Sequence, residues 1–289
     1  MRLMKYESII LMGSADFAVP SFKKVYDVFG NSVKAVFTRP DAPRGRGKKL
    51  KSTIVKAWAC DNDIAVYEPK DKDSLCLEIE KLVPDLIIVI AYGLIFPKDI
   101  TDKYFCINVH GSILPKYRGS SPIHAALLNN DEVTGVSVIK MNEGMDTGDI
   151  LALDELGVEP KDNFESLHNR MSEMSADILV NCISNIEAGR MTVEKQNEEL
   201  ASYCSKIKKE DFRLDVSQNL NVILGKIKAF SPNPGAYIEM GEKRVKIIEA
   251  EIIDNNLKII KVKPEGKGTM FYKDYLLGNE PIVVGEKKC

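Results

Sequence analysis

Across the first 190 residues of the chain, short apolar runs alternate with longer stretches whose apolar residues recur every three to four positions. Such alternation is the pattern of β-α-β units closing a parallel sheet. The spacing predicts strands at Ser8–Met12, Val33–Thr38, Asp85–Ala91, Phe105–His110 and Gly135–Lys140, with helices over Phe17–Phe29, Ile54–Asp61, Asp73–Leu82 and Ser121–Asn129. Asp85–Ala91 is apolar on both faces, as suits a central strand covered by helices from each side. A long helix is predicted over Phe164–Glu187, with Gly189 as its terminating glycine. The following stretch, Met191–Glu210, is polar and lysine-rich and reads as a connector. After a further helix near Gln218–Phe230, the chain breaks at Ser231-Pro-Asn-Pro-Gly235. It resumes as alternating β-like runs at Ala236–Met240, Arg244–Ile252 and Leu257–Val262. The expected architecture is a doubly wound α/β domain over residues 1–190, a linker over 191–209 and a small β domain over 210–289.

The length of 289 residues agrees with two domains, and 44% hydrophobic with 28% charged residues excludes neither core. The apolar stretch around Leu86–Ala91 is far shorter than the ~20 residues a membrane span needs, so no membrane partner is expected. Met1–Ser8 runs straight into a strand without the apolar core and small-residue site of an export signal. Cys60, Cys76, Cys106, Cys182, Cys204 and Cys289 form no C-x-x-C pair and have no histidine cluster beside them. They read as reduced thiols of a cytoplasmic monomer with no metal site. A net charge of −2 gives no overall basic field, so contact with nucleic acid must rest on local patches.

Candidate chemistry gathers at the carboxyl ends of two strands, where open α/β sheets collect their ligands. Phe105–His110 ends in Asn108-Val-His110, two polar side chains at period two and therefore on one face. The next strand runs into Asn142-Glu-Gly-Met-Asp146-Thr-Gly148-Asp149, a glycine-containing loop that brings a carboxylate to the same edge. Asn108, His110 and Asp146 together suit acyl transfer to an amine. A proton must leave the attacking nitrogen, and charge must be held on the acyl oxygen. On the residues alone two readings stay open, this one and a plain polar cap at the end of a strand. His124 and His168 fall inside predicted helices and read as structural or surface residues.

The run Asn108-x-His110-x-Ser112-x-Leu114-Pro115, then Tyr117-Arg118-Gly119 and the distant Asp146-Thr-Gly148, resembles the folate-dependent formyltransferases. The resemblance implies a Rossmann-like first domain, a β-barrel-like second one, and Asn108, His110 and Asp146 as catalytic residues; the chain departs from it by passing almost at once from Asp254-Asn-Asn256 to Pro264, which abbreviates the second domain. It also implies 10-formyltetrahydrofolate as co-substrate, bound by Ala91, Tyr92, Gly93, Leu94 and Ile95 and by Ser112, Ile113, Leu114 and Pro115. Ile113 departs from the family's usual leucine.

The basic loop Arg44-Gly45-Arg46-Gly47-Lys48-Lys49 looks like that of the branch acting on methionyl-tRNA, as does the connector with Lys206 and Lys208. On that resemblance Arg44, Arg46, Lys48, Lys49, Lys206 and Lys208 are expected to bind tRNA, and the acceptor is the amino group of initiator methionyl-tRNA. A sugar N-formyltransferase with the same folate is the nearest alternative. A formate-releasing hydrolase and a non-catalytic RNA-binding protein lie further off. A dinucleotide oxidoreductase is disfavoured because the first turn, Gly13-Ser-Ala-Asp16, lacks G-x-G-x-x-G.

Overall fold

A computed structural model of the chain describes residues 5–44, 49–94 and 96–284, apart from the side chains of Arg44 and Lys49. The chain forms two compact units. The first comprises Met1–Arg118, Gly135–Glu155 and Asn169–Tyr203, and the second Gly119–Thr134, Leu156–His168 and Cys204–Cys289.

The strands, in chain order, begin with β1 (Ile9–Gly13), β2 (Val33–Phe37), the hairpin strands β3 (Ala42–Arg44) and β4 (Lys49–Lys51), β5 (Ala65–Tyr67) and β6 (Leu86–Ile90). They continue with β7 (Cys106–His110), the two-residue β8 (Arg118–Gly119), β9 (Val133–Lys140), β10 (Ile150–Gly157) and the two-residue β11 (Tyr203–Cys204). Seven of them form one sheet in the order β10-β9-β7-β6-β1-β2-β5. Its middle is parallel, β1 pairing with β2 and β6 and β6 with β7, while β9 runs antiparallel to β7. The chain leaves β1 toward β2 and β5, then returns to β6 on the other side of β1. The connections that leave the carboxyl ends of β1 and β6 therefore part, which opens a crevice for ligands at that point.

Every residue of β1 and β6 is buried, as their unbroken apolar runs demand. Ile10, Met12, Ile87 and Val89 pack in one cluster with Leu75 and Ile79 of the helix Lys72–Leu82. Local chemistry starts the helices where the pattern places them. Thr53 accepts from the Lys56 amide at 3.0 Å to open Ile54–Asp61, and Asp71 accepts from the Ser74 amide at 2.8 Å to open Lys72–Leu82. The helix Phe164–Glu187 forms over its expected length, and its Ser172 and Ser175 hydroxyls bond the Phe17 carbonyl at 2.8 Å and Ser21 at 2.7 Å.

In the second unit the helix Pro122–Leu128 packs on the helix Leu220–Phe230. Gly225 permits that approach: a Cβ there falls 2.8 Å from the Leu128 carbonyl oxygen. His124 stacks on Phe164 with centroids 4.1 Å apart and lies 6.0 Å from Phe230. Beyond Gly235 the strands β12 (Ala236–Met240), β13 (Lys243–Ile253), β14 (Asn256–Pro264) and β15 (Met270–Phe271) form an antiparallel sheet in that order. Ala236, Ile238, Val245, Ile247 and Val262 are buried on one face. Tyr237, Lys246 and Lys263 form a cross-strand row on the other. Among the described residues no helix is long and apolar enough to cross a membrane.

Candidate active site

β7 ends with Asn108 and His110 on one face, in register with Ile139 and Ser137 of β9. The turn between β9 and β10 carries Asp146 in a left-handed conformation, φ +54°. This turn is built from its own residues. Asn142 accepts from the Gly144 amide at 3.0 Å and from the Thr147 hydroxyl at 2.8 Å. At Gly148 a Cβ falls 1.7 Å from the Lys140 carbonyl oxygen, so only glycine lets the turn close against the end of β9.

The result places the three side chains together. Asn108 Nδ2 donates to Asp146 Oδ1 at 3.3 Å, and His110 Nδ1 lies 3.6 Å from Asp146 Oδ2. His110 Nε2 is 2.8 Å from the Tyr117 carbonyl oxygen, which can only accept, so Nε2 carries the hydrogen and Nδ1 faces Asp146. Tyr117 takes a left-handed φ of +59° to aim that carbonyl, and its amide donates to Ser202 Oγ at 2.9 Å. His110 is 6% exposed and the Asp146 side chain 14%, so their interaction is screened little by water.

The segment after β7 is held from below. Ser137 Oγ donates to the Ser112 carbonyl at 2.7 Å and accepts from the Leu114 amide at 3.0 Å, and Ser112 Oγ donates to the Lys116 carbonyl. Ser112 and Leu114 are consequently buried, whereas Ile113 and Pro115 are half-buried and form the accessible part of this segment.

The other expected folate segment follows β6. Ala91 and Gly93 have φ +48° and +80°, and Leu94 is half-buried against the main cluster. Arg39 donates from Nε to the Tyr92 carbonyl at 3.1 Å and from Nη2 to the Gly93 carbonyl at 2.8 Å, while its own amide donates to Ser14 Oγ at 3.1 Å. Tyr92 is 2% exposed, and burial holds its phenol protonated far above neutrality. Ile95 lies outside the described residues. A cleft of about 480 Å³ lined by Ser14, Ala15, Asp16, Arg39, Ile54 and Ala91 opens at the carboxyl ends of β1, β2 and β6.

Of the expected tRNA contacts, Arg46 and Lys48 lie outside the described residues. The backbones of Arg44 and Lys49 pair in the hairpin β3–β4, and Leu50 beside them is 70% exposed. Lys206 and Lys208 are exposed in the second unit.

Several residues that position the site carry no signal in the sequence pattern. Gln196 donates from Nε2 to the carbonyls of Asp146 at 2.8 Å and Gly148 at 2.7 Å. Its Oε1 accepts from Arg118 Nε at 3.0 Å and Nη2 at 2.8 Å. Arg118, fully buried, also forks to Glu198 at 2.8 and 2.7 Å and donates to Tyr203 Oη at 3.2 Å. The guanidinium holds the Glu198 carboxyl below its ordinary range. Ile150 and Glu194 exchange backbone hydrogen bonds at 2.8 and 2.9 Å. Gln196, within the predicted connector, thus bonds directly to the turn that carries Asp146, and Glu194 bonds the first residue of β10 beyond it.

Comparison with known proteins supplies the context for this geometry. Residues 8–183 match the formyl transferase family, and residues 206–260 match the formyl transferase C-terminal domain. The methionyl-tRNA formyltransferase of Fusobacterium nucleatum is 34% identical over 97% of this chain and 99% of its own length. That of Syntrophus aciditrophicus is 41% identical over 86% of this chain and 81% of its own. Among solved structures, the methionyl-tRNA formyltransferase from Clostridium thermocellum superposes with a TM-score of 0.61 at 20% identity, covering 90% of this chain and 99% of that one.

Proposed function

From the premise that this chain belongs to the formyl transferase family, among the methionyl-tRNA formyltransferases, we infer that it moves the formyl group of 10-formyltetrahydrofolate onto the amino group of methionyl-tRNA. The observation that carries the chemical reading is the approach of Asp146 to both Asn108 and His110 at the carboxyl end of β7. When the amine attacks, a nitrogen–carbon bond forms, the formyl oxygen becomes an oxyanion, and the bond from the formyl carbon to the folate nitrogen then breaks. The proton lost by the amine ends on that folate nitrogen.

His110 is suited to carry the proton through Nδ1, because Tyr117 occupies Nε2. Asn108 keeps one N–H toward Asp146 and offers its second to the oxyanion. Asp146 then orients Asn108 and receives the Nδ1–H of the charged imidazole. The folate lies against Ala91, Tyr92, Gly93, Leu94 and Ile95 and the accessible part of Ser112–Pro115. Left-handed Ala91 and Gly93 bring main chain to that surface, and Arg39 fixes its carbonyls.

The tRNA is held by Arg44, Arg46, Lys48 and Lys49 of the basic loop and by Lys206 and Lys208. A guanidinium such as that of Arg46 can fork to phosphate or stack on an unpaired base. The enzyme works in the cytoplasm as a monomer, with a formyltransferase domain over 1–190, a connector over 191–209 and a tRNA-binding β domain over 210–289.

Purified protein offered 10-formyltetrahydrofolate with methionyl-tRNA and, separately, with an amino-sugar nucleotide tests the reading. Formyl-methionyl-tRNA is the expected product. Transfer to the sugar alone would overturn it.

A further inference from the structure

We propose that Gln196 is a positioning residue for Asp146, a neutral relay that converts the fixed orientation of Arg118 into the fixed orientation of the catalytic carboxylate. The proposal rests on the roles assigned to Asn108, His110 and Asp146 above.

The turn that bears Asp146 has a conformational problem. Its φ of +54° lies in the left-handed region that residues with a Cβ disfavour, so neighbours must hold the conformation. Gln196 supplies the hold. Its two amide hydrogens bond the Asp146 and Gly148 carbonyls, on either side of Thr147, and so span the strained peptide units. A primary amide has two donors and one accepting oxygen, and here all of them are used. The oxygen faces two guanidinium nitrogens and the nitrogen faces two carbonyls, so the amide has only one orientation that satisfies its partners.

Arg118 supplies rigidity at the far end. It is fully buried, and its remaining bonds go to the forked Glu198 carboxylate and the Tyr203 hydroxyl. A charged group in the place of Gln196 would break the relay. A carboxylate would satisfy Arg118 but set negative oxygens against two carbonyls and swing the turn away. Misplacement of a reacting group by about 1 Å can cost about a hundredfold in rate.

The test uses the full chain carrying Gln196→Glu or Gln196→Met. Single-turnover rates and KM for both substrates are measured beside Asp146→Ala and the double variants. The expected result is a fall in kcat of about 10- to 100-fold for each Gln196 variant, with KM for folate and tRNA within about threefold of wild type. Combining either variant with Asp146→Ala should add no further loss, because the relay acts only through that carboxylate. Gln196→Glu keeps the shape and the Arg118 contact, so it folds even where Gln196→Met loses stability. A wild-type kcat for the Gln196 variants while Asp146→Ala is crippled would overturn the relay alone. Losses that multiply in the double variants would show that Gln196 serves the fold rather than Asp146. Full activity of Asp146→Ala would instead bring down the assignment of the site.

Discussion

At the end of β7 the polar side chains are short, largely buried and gathered on one another, whereas on the outer face of β12, β13 and β14 they are long, cationic and half-buried, with Lys246 donating to the Pro234 carbonyl. Asn108, His110 and Asp146 meet through contacts of 3.3 and 3.6 Å fixed by main chain. On the sheet, Arg244 lies over the Tyr237 ring with 4.7 Å to its centroid, and Lys246 and Lys263 stand side by side across two strands. On the function proposed above, the first region works by direction, since a bond aimed at a developing charge has no substitute once it moves. Binding through surface cations would instead depend on the amount of charge presented, which many arrangements can supply. Chemistry should therefore fail steeply with single changes in the first region, and binding should fade gradually with changes among the lysines.

The sharpest attempt to break this contrast is Asn108→Ala, His110→Ala or Asp146→Ala, measured by single-turnover transfer. Each should lower the rate about 10²–10³-fold, roughly 3–4 kcal/mol, with the melting curve preserved. The losses should not multiply when combined, since the three act as one unit. A residue whose removal leaves the rate near wild type is not part of that unit.

The second unit also holds a buried group, His124, that depends on its surroundings. Burial against Phe164 and Phe230, with His168 nearby, lowers the pKa of His124 to about 4. The folded state therefore binds fewer protons than the unfolded chain between about 4 and 6.5. Stability from this group is complete above the unfolded value and is lost as pH falls through that window, by up to about 3 kcal/mol. Thermal melts of wild type and His124→Gln from pH 7 to pH 4 should converge on acidification. Parallel curves would remove His124 as the cause.

How much of this was legible in the sequence depended on whether a residue's partners leave a periodic trace. β1, β6 and the helix Phe164–Glu187 are long and apolar in the right period, and they form within a residue or two of where the pattern places them. β5 has three residues, too few to show alternation, and β10 turns outward after its first two residues, so charged side chains hide it. Asn108 and His110 were visible because two polar residues at period two interrupt an apolar strand. Gln196 was not, because it bonds carbonyls 48 and 50 residues away that any residue could supply.

A milder change sharpens the contrast within the first unit. At Gly93 φ is +80° and a Cβ falls 1.7 Å from Arg39 Nη2, so Gly93→Ala must strain the turn or displace the guanidinium. About 1–2 kcal/mol of strain corresponds to a rise in KM for 10-formyltetrahydrofolate of roughly tenfold, with tRNA affinity unchanged. Titration with each ligand separates the two effects, and a parallel loss of both would place Gly93 outside the folate surface. The smallest effect belongs to the lysines. Lys206→Ala or Lys208→Ala should weaken tRNA uniformly and reduce the slope of log affinity against log salt by about one unit each. A loss independent of salt would mean that these lysines work by direction after all.

The bonds from Gln196 to the Asp146 turn and from Glu194 to the start of β10 bear on how chains of this kind can be recombined. A join placed at residue 190, where the composition changes, would pair one parent's turn with another parent's brace. Hybrids joined after Tyr203 keep Arg118, Gln196, Glu198 and Tyr203 from one parent, and so keep the turn together with its brace.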